Sequence, residues 1–581
     1  MRVVDRAVFE RIKERLRLLY GERDLERLLN RLDLLVGRYG VGVCSPKEVE
    51  NGLWDQKDAV LITYGDMVVA DGEAPLATLD RFVRRNLGDA VSTVHLLPFF
   101  PYSSDDGFSV IDYRTVDPLL GTWDDIQALA DHYDLMVDLV INHVSSQSVW
   151  FRNYGNGVAP ERHFFIEVPA GTDLSAVVRP RTHPLLRAVQ TPSGERFVWA
   201  TFSHDQIDVD FSNPDVLFEY LDILLFYVYH GARIIRLDAI AYLWKQIGTP
   251  CIHLPQTHQI VKLFHDVLEM LAPRTILLTE TNVPHDENVS YFGAGDEARM
   301  VYQFSLPPLL LHALETGDGQ NLTAWLEQLE PPPPGCTYFN FTASHDGIGV
   351  RPLEGLLPDD AFLALVEALE NKGGRVSRRS NPDGSEVPYE LNITYYEALG
   401  FPGRRDCDLC VARFLCSQTI MLSLQGIPGI YFNSLITASN NLVGVQKTGQ
   451  ARTINRKKWT EAELESMLRD PNHPAYRVFP EYVRRLGIRG RQPAFHPDVP
   501  QQVLRLPSGL FGLKRSAPDE PQGVWVIANL KSEPAKLSTE LIDPRFKHRT
   551  WHELILGWTL DGDKVGWLQL GPYEVQWLIG S

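Results

Sequence analysis

The stretch GARIIRLD at residues 231–238 is a short apolar run in which two charged residues, Arg236 and Asp238, stand near the end. Seven similar runs, rich in Val, Ile, Leu, Phe or Tyr, occupy residues 59–65, 93–99, 135–142, 274–280, 300–306, 336–343 and 427–433. Amphipathic stretches lie between most of them, for example at 122–133, 214–229, 256–271 and 406–424. Eight strands separated by helices predict a closed, parallel (β/α)8 barrel.

Additional segments extend this barrel. Residues 6–38 have helical periodicity and predict two helices that pack on the main domain, with a coiled-coil dimer arm as the alternative. The predicted division is a helical extension at 1–55, the barrel at 56–143 and 214–494, an inserted domain at 144–213, an extended segment at 347–405, and an antiparallel β domain at 495–581. Within the extended segment we expect one helix near 359–370 and a Gly/Ser/Arg-rich loop at 371–388.

Composition limits the classes of function. The net charge of −18 argues against general affinity for nucleic acid or an anionic membrane, so an anionic ligand has to meet a local basic cluster. The first residues lack the apolar stretch of a signal peptide, and no apolar run approaches the length of a membrane span. We therefore expect a soluble, cytoplasmic protein.

The six cysteines include one CxxC pair, Cys407 and Cys410. A zinc site needs a second ligand pair at a suitable spacing, and the sequence has none. We expect buried thiols, with metal binding or redox chemistry as the alternative, and no metal or organic cofactor.

Charged side chains collect where the predicted strands end, which is where barrels of this kind place their active sites. They are Asp66, Asp138, His143, Asp238, Glu280, His345 and Asp346. One such carboxylate could be structural, but several at matching depth are hard to explain by packing, because unpaired buried charges are costly.

Paired carboxylates are the groups that cleave glycosidic bonds with retention: one attacks the anomeric carbon, and the other acts as general acid and then base. Their carboxyl groups should lie about 5–5.5 Å apart. Arg236 points to the same side of its strand as Asp238 and should keep that carboxylate ionised. Asp346 should raise the pKa of Glu280.

Four segments resemble the signature regions of the α-amylase family, glycoside hydrolase family 13. They are DLVINH (138–143), GARIIRLDAI (231–240), the strand ending in Glu280, and FTASHD (341–346). The resemblance implies Asp238 as nucleophile, Glu280 as acid/base and Asp346 as stabiliser of the transition state. It also implies that His143 and His345 contact sugar hydroxyls and that Phe108 stacks under the glucosyl ring; the alternative for Phe108 is a core aromatic.

Finer features resemble the sucrose phosphorylase branch of that family. This resemblance implies that Asp66 in LITYGD (61–66) forms an ion pair with Arg452 in TGQARTINR (448–456) and closes the pocket behind one glucosyl unit. It also implies that Phe202 and Gln206 line the pocket and that Tyr242 lies on the acceptor side.

Phosphorolysis requires a cationic site for phosphate, and arginine binds phosphate in a bidentate manner. The same resemblance implies that Arg181 contacts phosphate. Further candidates at the acceptor site are Arg375, Arg378, Arg379 and Tyr389, for which a solvated surface role is the alternative.

The chain departs from the sucrose-specific pattern at Asn282, which follows Glu280-Thr281, and at Glu390, which follows Tyr389. Both departures fall on the acceptor site and argue against plain sucrose. ETNVPH (280–285), the N-terminal helices and the basic loop resemble those of relatives that use anionic acceptors, and this resemblance implies an anionic acceptor here. Three arginines and one lysine in the loop favour a small carboxylate, so the expected reaction is phosphorolysis of 2-O-α-glucosylglycerate. Sucrose 6'-phosphate and sucrose are alternative substrates; a sucrose hydrolase or transglucosidase and a non-catalytic binding barrel are the other hypotheses.

Overall fold

A closed barrel of eight parallel strands forms the centre of the molecule. The computed structural model describes residues 6–39, 52–380, 385–404, 407–517 and 523–581. The barrel strands, labelled β1–β8 here, are Val60–Thr63, Thr93–Leu96, Asp134–Val140, Ala232–Asp238, Ile276–Thr279, Met300–Tyr302, Thr337–Phe341 and Ile427–Tyr431. Each strand pairs with its sequence neighbour, and β8 pairs with β1 to close the barrel. The predicted fold class and all eight predicted strands are confirmed.

The register of the central strands brings functional side chains to one depth. Asp138 and Val140 on β3 stand opposite Arg236 and Asp238 on β4. Thr279, the last residue of β5, stands opposite Leu237, and the Glu280 amide donates to the Leu237 carbonyl at 3.1 Å. Because the strands are parallel, the carboxylates of Asp138, Asp238 and Glu280 lie toward the same end of the barrel.

Helices surround the barrel where the sequence alternates in character. The principal ones are Pro75–Asn86, Trp123–Ala130, Pro214–Tyr229, Pro255–Leu271, Leu306–Thr316, Gln320–Gln328, Asp408–Ser423, Glu461–Arg469 and Pro474–Arg489. The helix before β4 begins with a proline, and Asn213 caps it by accepting from the Asp215 amide at 2.9 Å. Start signals of this kind explain why the predicted helix limits lie close to those observed.

The segment between β3 and β4 forms the expected insertion. A hairpin pairs Leu186–Thr191 with Gly194–Trp199, and His143–Ser145 pairs with Gln206–Asp208. The Lys245 ammonium, which follows β4, lies 2.6 Å from both the Asn142 amide oxygen and an Asp208 carboxylate oxygen. This buried cation therefore joins the insertion to the ends of β3 and β4.

The segment after β7 differs from the prediction in one respect. Its helix, Asp359–Asn371, is present as expected. The predicted loop at 371–388, however, contains an antiparallel hairpin of Arg375–Ser380 and Glu386–Asn392, and Ile348–Gly349 pairs with the second strand. Polar side chains made the first strand resemble a loop. The hairpin is formed because its second strand buries Tyr389 and Leu391 against the barrel.

The C-terminal residues form antiparallel sheets, as predicted. Six strands form the larger sheet, in the order Gln501–Val503, Leu510–Arg515, Val524–Asn529, Val575–Gly580, Thr550–Glu553 and Thr559–Asp561. Ala535–Ser538 and Trp567–Leu570 form a second pair. The larger sheet contacts the barrel through Arg515, which donates to the Ser423 carbonyl at 2.9 Å. The residue limits of the predicted domains stay a prediction.

The expectation of thiols is wrong for the CxxC pair. Cys407 caps the helix Asp408–Ser423 and forms a disulfide with Cys410, across a Cα–Cα distance of 5.2 Å. The start of the helix brings these two side chains together, which spacing alone did not indicate. Cys251, Cys336 and Cys416 are buried free cysteines, as expected, whereas Cys44 lies outside the described residues. No helix in the described ranges combines the length and apolar character needed to cross a bilayer.

Two N-terminal helices, α1 (Arg6–Tyr20) and α2 (Leu25–Tyr39), pack on the outside of the barrel. Helix α1 lies against Pro255–Leu271, where Arg11 and Arg15 both form ion pairs with the buried Asp266 carboxylate, at 2.7 and 3.4 Å. Helix α2 lies against Pro214–Tyr229, and Arg38 contacts Asp222 at 2.7 Å. These contacts assign both helices to the barrel surface.

We expect the double substitution Arg11→Ala/Arg15→Ala to lower the free energy of unfolding by about 3 kcal/mol, because it leaves a buried carboxylate without its cations. Urea denaturation measures the change. The control is Arg27→Ala, because Arg27 and its partners Asp24 and Asp215 are all substantially exposed, and a cost below about 0.5 kcal/mol is expected. Equal losses in the two variants would contradict the role assigned to Asp266.

Candidate active site

A cavity opens at the carboxyl ends of the barrel strands, and the three carboxylates singled out in the sequence line it together. Asp238 ends β4, Glu280 follows β5 and Asp346 follows β7. Among the residues that the structure describes, the other predicted site residues on the cavity wall are Phe108, His143, Arg181, Phe202, Gln206, Tyr242, Asn282, His345, Tyr389, Glu390 and Arg452. Sequence positions far apart thus converge on one cavity; the role of each residue stays a prediction.

Arg236 lies beneath Asp238 and is 2% exposed. One guanidinium nitrogen contacts both the Asp138 carboxylate and the Asp238 carboxylate, the latter at 2.9 Å, and Nε donates to the Tyr302 hydroxyl at 3.1 Å. A second nitrogen lies 4.0 Å from Glu280. Asp138 also contacts His95 at 2.7 Å. The nucleophile candidate is therefore held by a buried cation whose charge is compensated on both sides.

Burial and neighbouring carboxylates raise the pKa values of both Asp238 and Glu280. Interacting carboxyl groups of this kind titrate together, and one proton is shared by the pair. Arg236 makes its short contact to Asp238, whereas the hydrogen bond that Glu280 accepts within the described ranges comes from the Ala239 amide, at 3.1 Å. Burial raises the pKa of Asp238 more than that of Glu280, but Asp238 has the direct contact with the Arg236 guanidinium at 2.9 Å, whereas Glu280 lies 4.0 Å from it. The contact favours the ionised form of Asp238, which suits Glu280 as the acid and Asp238 as the nucleophile.

Asp346 differs from the other two carboxylates because cations surround it. Arg452 contacts Asp346 at 2.7 Å and Arg456 at 3.4 Å. Burial acts against ionisation, but Arg452, His345 and Arg456 outweigh it and lower the pKa of Asp346. Asp346 is therefore an ionised group whose negative charge raises the pKa of Glu280, as the sequence predicted.

The predicted ion pair between Asp66 and Arg452 is not formed. Asp66 pairs with Lys458 at 2.6 Å and is absent from the cavity wall, while Arg452 contacts Asp346 and, at 3.1 Å, Glu390. Asp346 and Glu390 are both less exposed than Asp66, so their attraction to the Arg452 guanidinium is screened less by solvent than an Asp66–Arg452 contact would be.

Another Asp–Arg cluster borders the cavity, and the sequence interpretation missed it; Arg452 itself also lies 3.9 Å from Asp105. Arg456 contacts Asp105 at 3.1 Å and Asp106 at 2.8 Å, and Asp105 lines the cavity. The signals were present: both aspartates directly precede Phe108 in DDGF, and Arg456 ends the quoted segment TGQARTINR.

Aromatic rings and buried hydrogen bonds shape the wall beside this cluster. The rings of Phe108 and His345 are stacked, with centroids 4.6 Å apart and planes 3° from parallel. His143 and Gln206 both contact the Phe108 carbonyl, at 2.9 and 3.1 Å. Burial lowers the pKa of His345 to about 3, so this ring is neutral at physiological pH. The wall therefore presents flat, uncharged surface together with fixed polar groups, which is the chemistry that suits a sugar ring.

The cavity wall also contains a cation between two aromatic rings. The Arg181 guanidinium carbon lies 5.3 Å from the ring centroid of Tyr389 and 5.9 Å from that of Phe202. Phe202 in turn meets Tyr242 edge-on at 5.4 Å. No carboxylate in the described part of the chain forms an ion pair with Arg181. This arginine can thus contact an anion that enters the cavity.

Asn282 and Glu390, the two positions where the sequence departs from the sucrose-specific pattern, also line the cavity. The Asn282 side-chain oxygen is buried without a hydrogen-bond partner in the described structure. A Cβ atom at Gly349 would lie within 2.7 Å of the Asn282 side-chain amide, so the absence of a side chain at Gly349 leaves room for Asn282 in its present position. Glu390 is 2% exposed and accepts the Gly347 amide at 2.6 Å as well as Arg452. Both side chains are positioned for a polar molecule.

The three hairpin arginines are not on the cavity wall, contrary to the sequence prediction. Arg375 is exposed, Arg379 pairs with Glu354 at 3.0 Å, and Arg378 lies in an outer cleft that also contacts Arg181 and Arg452. The loop interpretation did not foresee the hairpin pairing, in which Ser377 rather than an arginine stands opposite Glu390 and the register shifts between Ser377 and Arg378.

Comparison with known proteins agrees with this geometry. Residues 85–329 match the family model described as the catalytic domain of alpha-amylase. The chain is 47% identical to a glucosylglycerate phosphorylase of Spirochaeta thermophila and 46% identical to one of Allomeiothermus silvanus, with 98% of each chain covered in both comparisons. A crystal structure of sucrose 6F-phosphate phosphorylase from Thermoanaerobacter thermosaccharolyticum superimposes with a TM-score of 0.71 at 26% identity, covering 82% of this chain and 94% of the other.

Proposed function

The chain belongs to the sucrose phosphorylase-like branch of the α-amylase family, and we propose that it cleaves 2-O-α-glucosylglycerate with phosphate to give α-glucose 1-phosphate and glycerate. The observation that carries this proposal is the position of Arg181. A cation without a carboxylate partner among the described residues faces the same cavity as the pair Asp238 and Glu280. A hydrolase has no need of such a cation, whereas the phosphate dianion requires one.

The first half-reaction follows from the protonation states. The Asp238 carboxylate attacks the anomeric carbon while Glu280 gives its proton to the departing C2 oxygen of glycerate. Asp346 remains ionised and stabilises the positive charge that develops on the sugar ring. The products of this step are a glucosyl ester on Asp238, free glycerate and a deprotonated Glu280.

The second half-reaction uses the same groups in reverse. Phosphate enters the space that glycerate has left and contacts Arg181. Glu280 removes a proton from the attacking phosphate oxygen, which forms a bond to the anomeric carbon as the Asp238 ester breaks. Two inversions give net retention, so the product is the α-anomer.

Selection of the acceptor is assigned to Asn282 and Glu390. The Asn282 side-chain oxygen, which has no hydrogen-bond partner among the described residues, and the Glu390 carboxylate can bind the hydroxyl groups of glycerate, and Arg181 provides a cation for its carboxylate. Sucrose 6'-phosphate and sucrose are the competing substrates, because related phosphorylases with those names share the fold. We also propose a cytoplasmic location, which suits a reaction that uses inorganic phosphate and forms a sugar phosphate.

A substrate comparison tests the proposal. The purified protein should release glucose 1-phosphate from 2-O-α-glucosylglycerate only when phosphate is present, and faster than from sucrose or sucrose 6'-phosphate at equal concentrations. Equal rates of glucoside cleavage with and without phosphate would assign the protein to the hydrolases. Faster cleavage of either sucrose substrate would leave the phosphorylase class in place but overturn the choice of glycerate.

Arg181→Ala should raise the KM for phosphate at least about tenfold, because a charge-assisted contact is lost, while slow hydrolysis without phosphate changes little. Steady-state kinetics over a range of phosphate concentrations measures the effect. Arg196→Ala serves as the control, because Arg196 also lies in the insertion but pairs with Glu167 on the surface. An unchanged KM in Arg181→Ala would remove this residue from the anion site.

The pH dependence should report on Glu280. A general acid acts in its protonated form, so kcat/KM for the glucoside should fall as pH rises through the raised pKa of Glu280. Glu280→Ala should abolish cleavage of the glucoside yet retain attack on α-glucosyl fluoride, whose leaving group needs no acid, and the alkaline fall should then be absent. Persistence of that fall in the variant would assign it to another group.

A further inference from the structure

The Asp205 carboxylate, beside the cavity, accepts hydrogen bonds from four serine hydroxyl groups. One of its carboxylate oxygens accepts from Ser103, from Ser104 at 2.5 Å and from Ser109 at 2.8 Å. The other oxygen accepts from Ser146 at 2.6 Å. The carboxylate is thus surrounded by four neutral donors, and no ion pair to Asp205 is present among the described residues.

The donors come from two separate segments of the chain, and Asp205 itself belongs to a third. Ser103, Ser104 and Ser109 lie on the connection after β2, whereas Ser146 lies just after β3. Asp205 immediately precedes Gln206 in the insertion. Each segment also supplies a residue of the cavity wall: Phe108 from the first, His143 from the second, and Gln206 from the third. A single carboxylate therefore connects the three parts of the chain that form the wall around the sugar.

The backbone between these serines is strained. Asp105 and Asp106 both have left-handed conformations, with φ of 52° and 48°, although neither is glycine. Such conformations cost of order 1 kcal/mol or more each and persist only where surrounding contacts enforce them. Arg456 forms ion pairs with both aspartate side chains. Asp205 accepts hydrogen bonds from Ser104 and Ser109, which flank this stretch of backbone.

We propose that Asp205 is a positioning residue of the glucosyl pocket: by binding the serines on both sides of residues 105–108, it fixes Asp105 and Phe108 in the geometry that receives the glucosyl ring. This inference rests on the proposed function for the identity of the ligand. Asp205 acts through Phe108, Asp105 and Gln206 and has no role in bond cleavage. Its loss should therefore weaken recognition of the glucosyl group and spare recognition of the acceptor.

The experiment measures the two substrates of the synthetic reaction separately. With Asp205→Ala, the KM for glucose 1-phosphate should rise about tenfold, the result of losing hydrogen bonds to a charged group, while the KM for glycerate changes less than about twofold. Asp205→Asn, which keeps the shape and one acceptor oxygen, should recover part of the loss. Asp173→Ala is the control, because Asp173 is an exposed carboxylate of the same insertion that is absent from the cavity wall.

If Asp205→Ala does not fold, the inference can still be tested by changing the serines that donate to Asp205. Ser104→Ala/Ser109→Ala removes two donors and should raise the KM for glucose 1-phosphate in the same direction. Adding it to Asp205→Asn should give less than the sum of the separate effects, because both variants disrupt one network. Thermal unfolding of every variant accompanies the kinetics.

Two results would overturn the inference. One is a KM for glucose 1-phosphate within about twofold of the unmodified protein in both Asp205→Asn and the double serine variant. The other is a parallel rise of both KM values with a fall in melting temperature, which indicates a merely structural residue. If the unmodified protein does not turn over, the proposed function fails instead, and the same comparison is then made on the dissociation constant for glucose 1-phosphate by calorimetry.

Discussion

The buried guanidinium of Arg236 is the constraint on which the site depends. Its buried charge is compensated by two carboxylates, Asp138 and Asp238, which come from two neighbouring strands. The same contacts fix the register of β3 against β4 and hold the Asp238 carboxylate toward the cavity. A requirement of folding thus positions the proposed nucleophile.

Alternating charges extend outward from this centre. Asp346 forms ion pairs with Arg452 and Arg456. Arg456 also forms ion pairs with Asp105 and Asp106, and Arg452 forms one with Glu390 on the hairpin. Each buried charge has a partner of opposite sign, which lowers the cost of burying so many ions. The network also connects the proposed glucosyl pocket to the proposed acceptor side, because Arg452 contacts residues that belong to both.

The barrel and the carboxylates at its strand ends could be predicted because their signals are local. A strand such as 231–238 carries its own apolar pattern, and its terminal Asp238 must emerge at the end of the barrel once the fold is known. Arg181, Asn282 and Glu390 were found through resemblance, and the structure brings them to the same cavity wall.

The misses involve contacts that spacing does not determine. Arg452 and Arg456 are separated by four residues, and only the folded chain shows that Arg456 reaches Asp105 while Asp66 binds Lys458. The hairpin at 375–392 was mistaken for a loop because tertiary burial of Tyr389 and Leu391, rather than intrinsic preference, stabilises it. The Cys407–Cys410 disulfide depends likewise on local helix geometry.

The most direct measurement is the identification of the residue that carries the covalent intermediate. A fluorinated α-glucosyl fluoride, which forms the glucosyl ester quickly and releases it slowly, should label the protein at one site. Peptide mass spectrometry is expected to find the added mass on Asp238. A label on Glu280, or turnover without any labelled carboxylate, would contradict the assignment of Asp238 as the nucleophile.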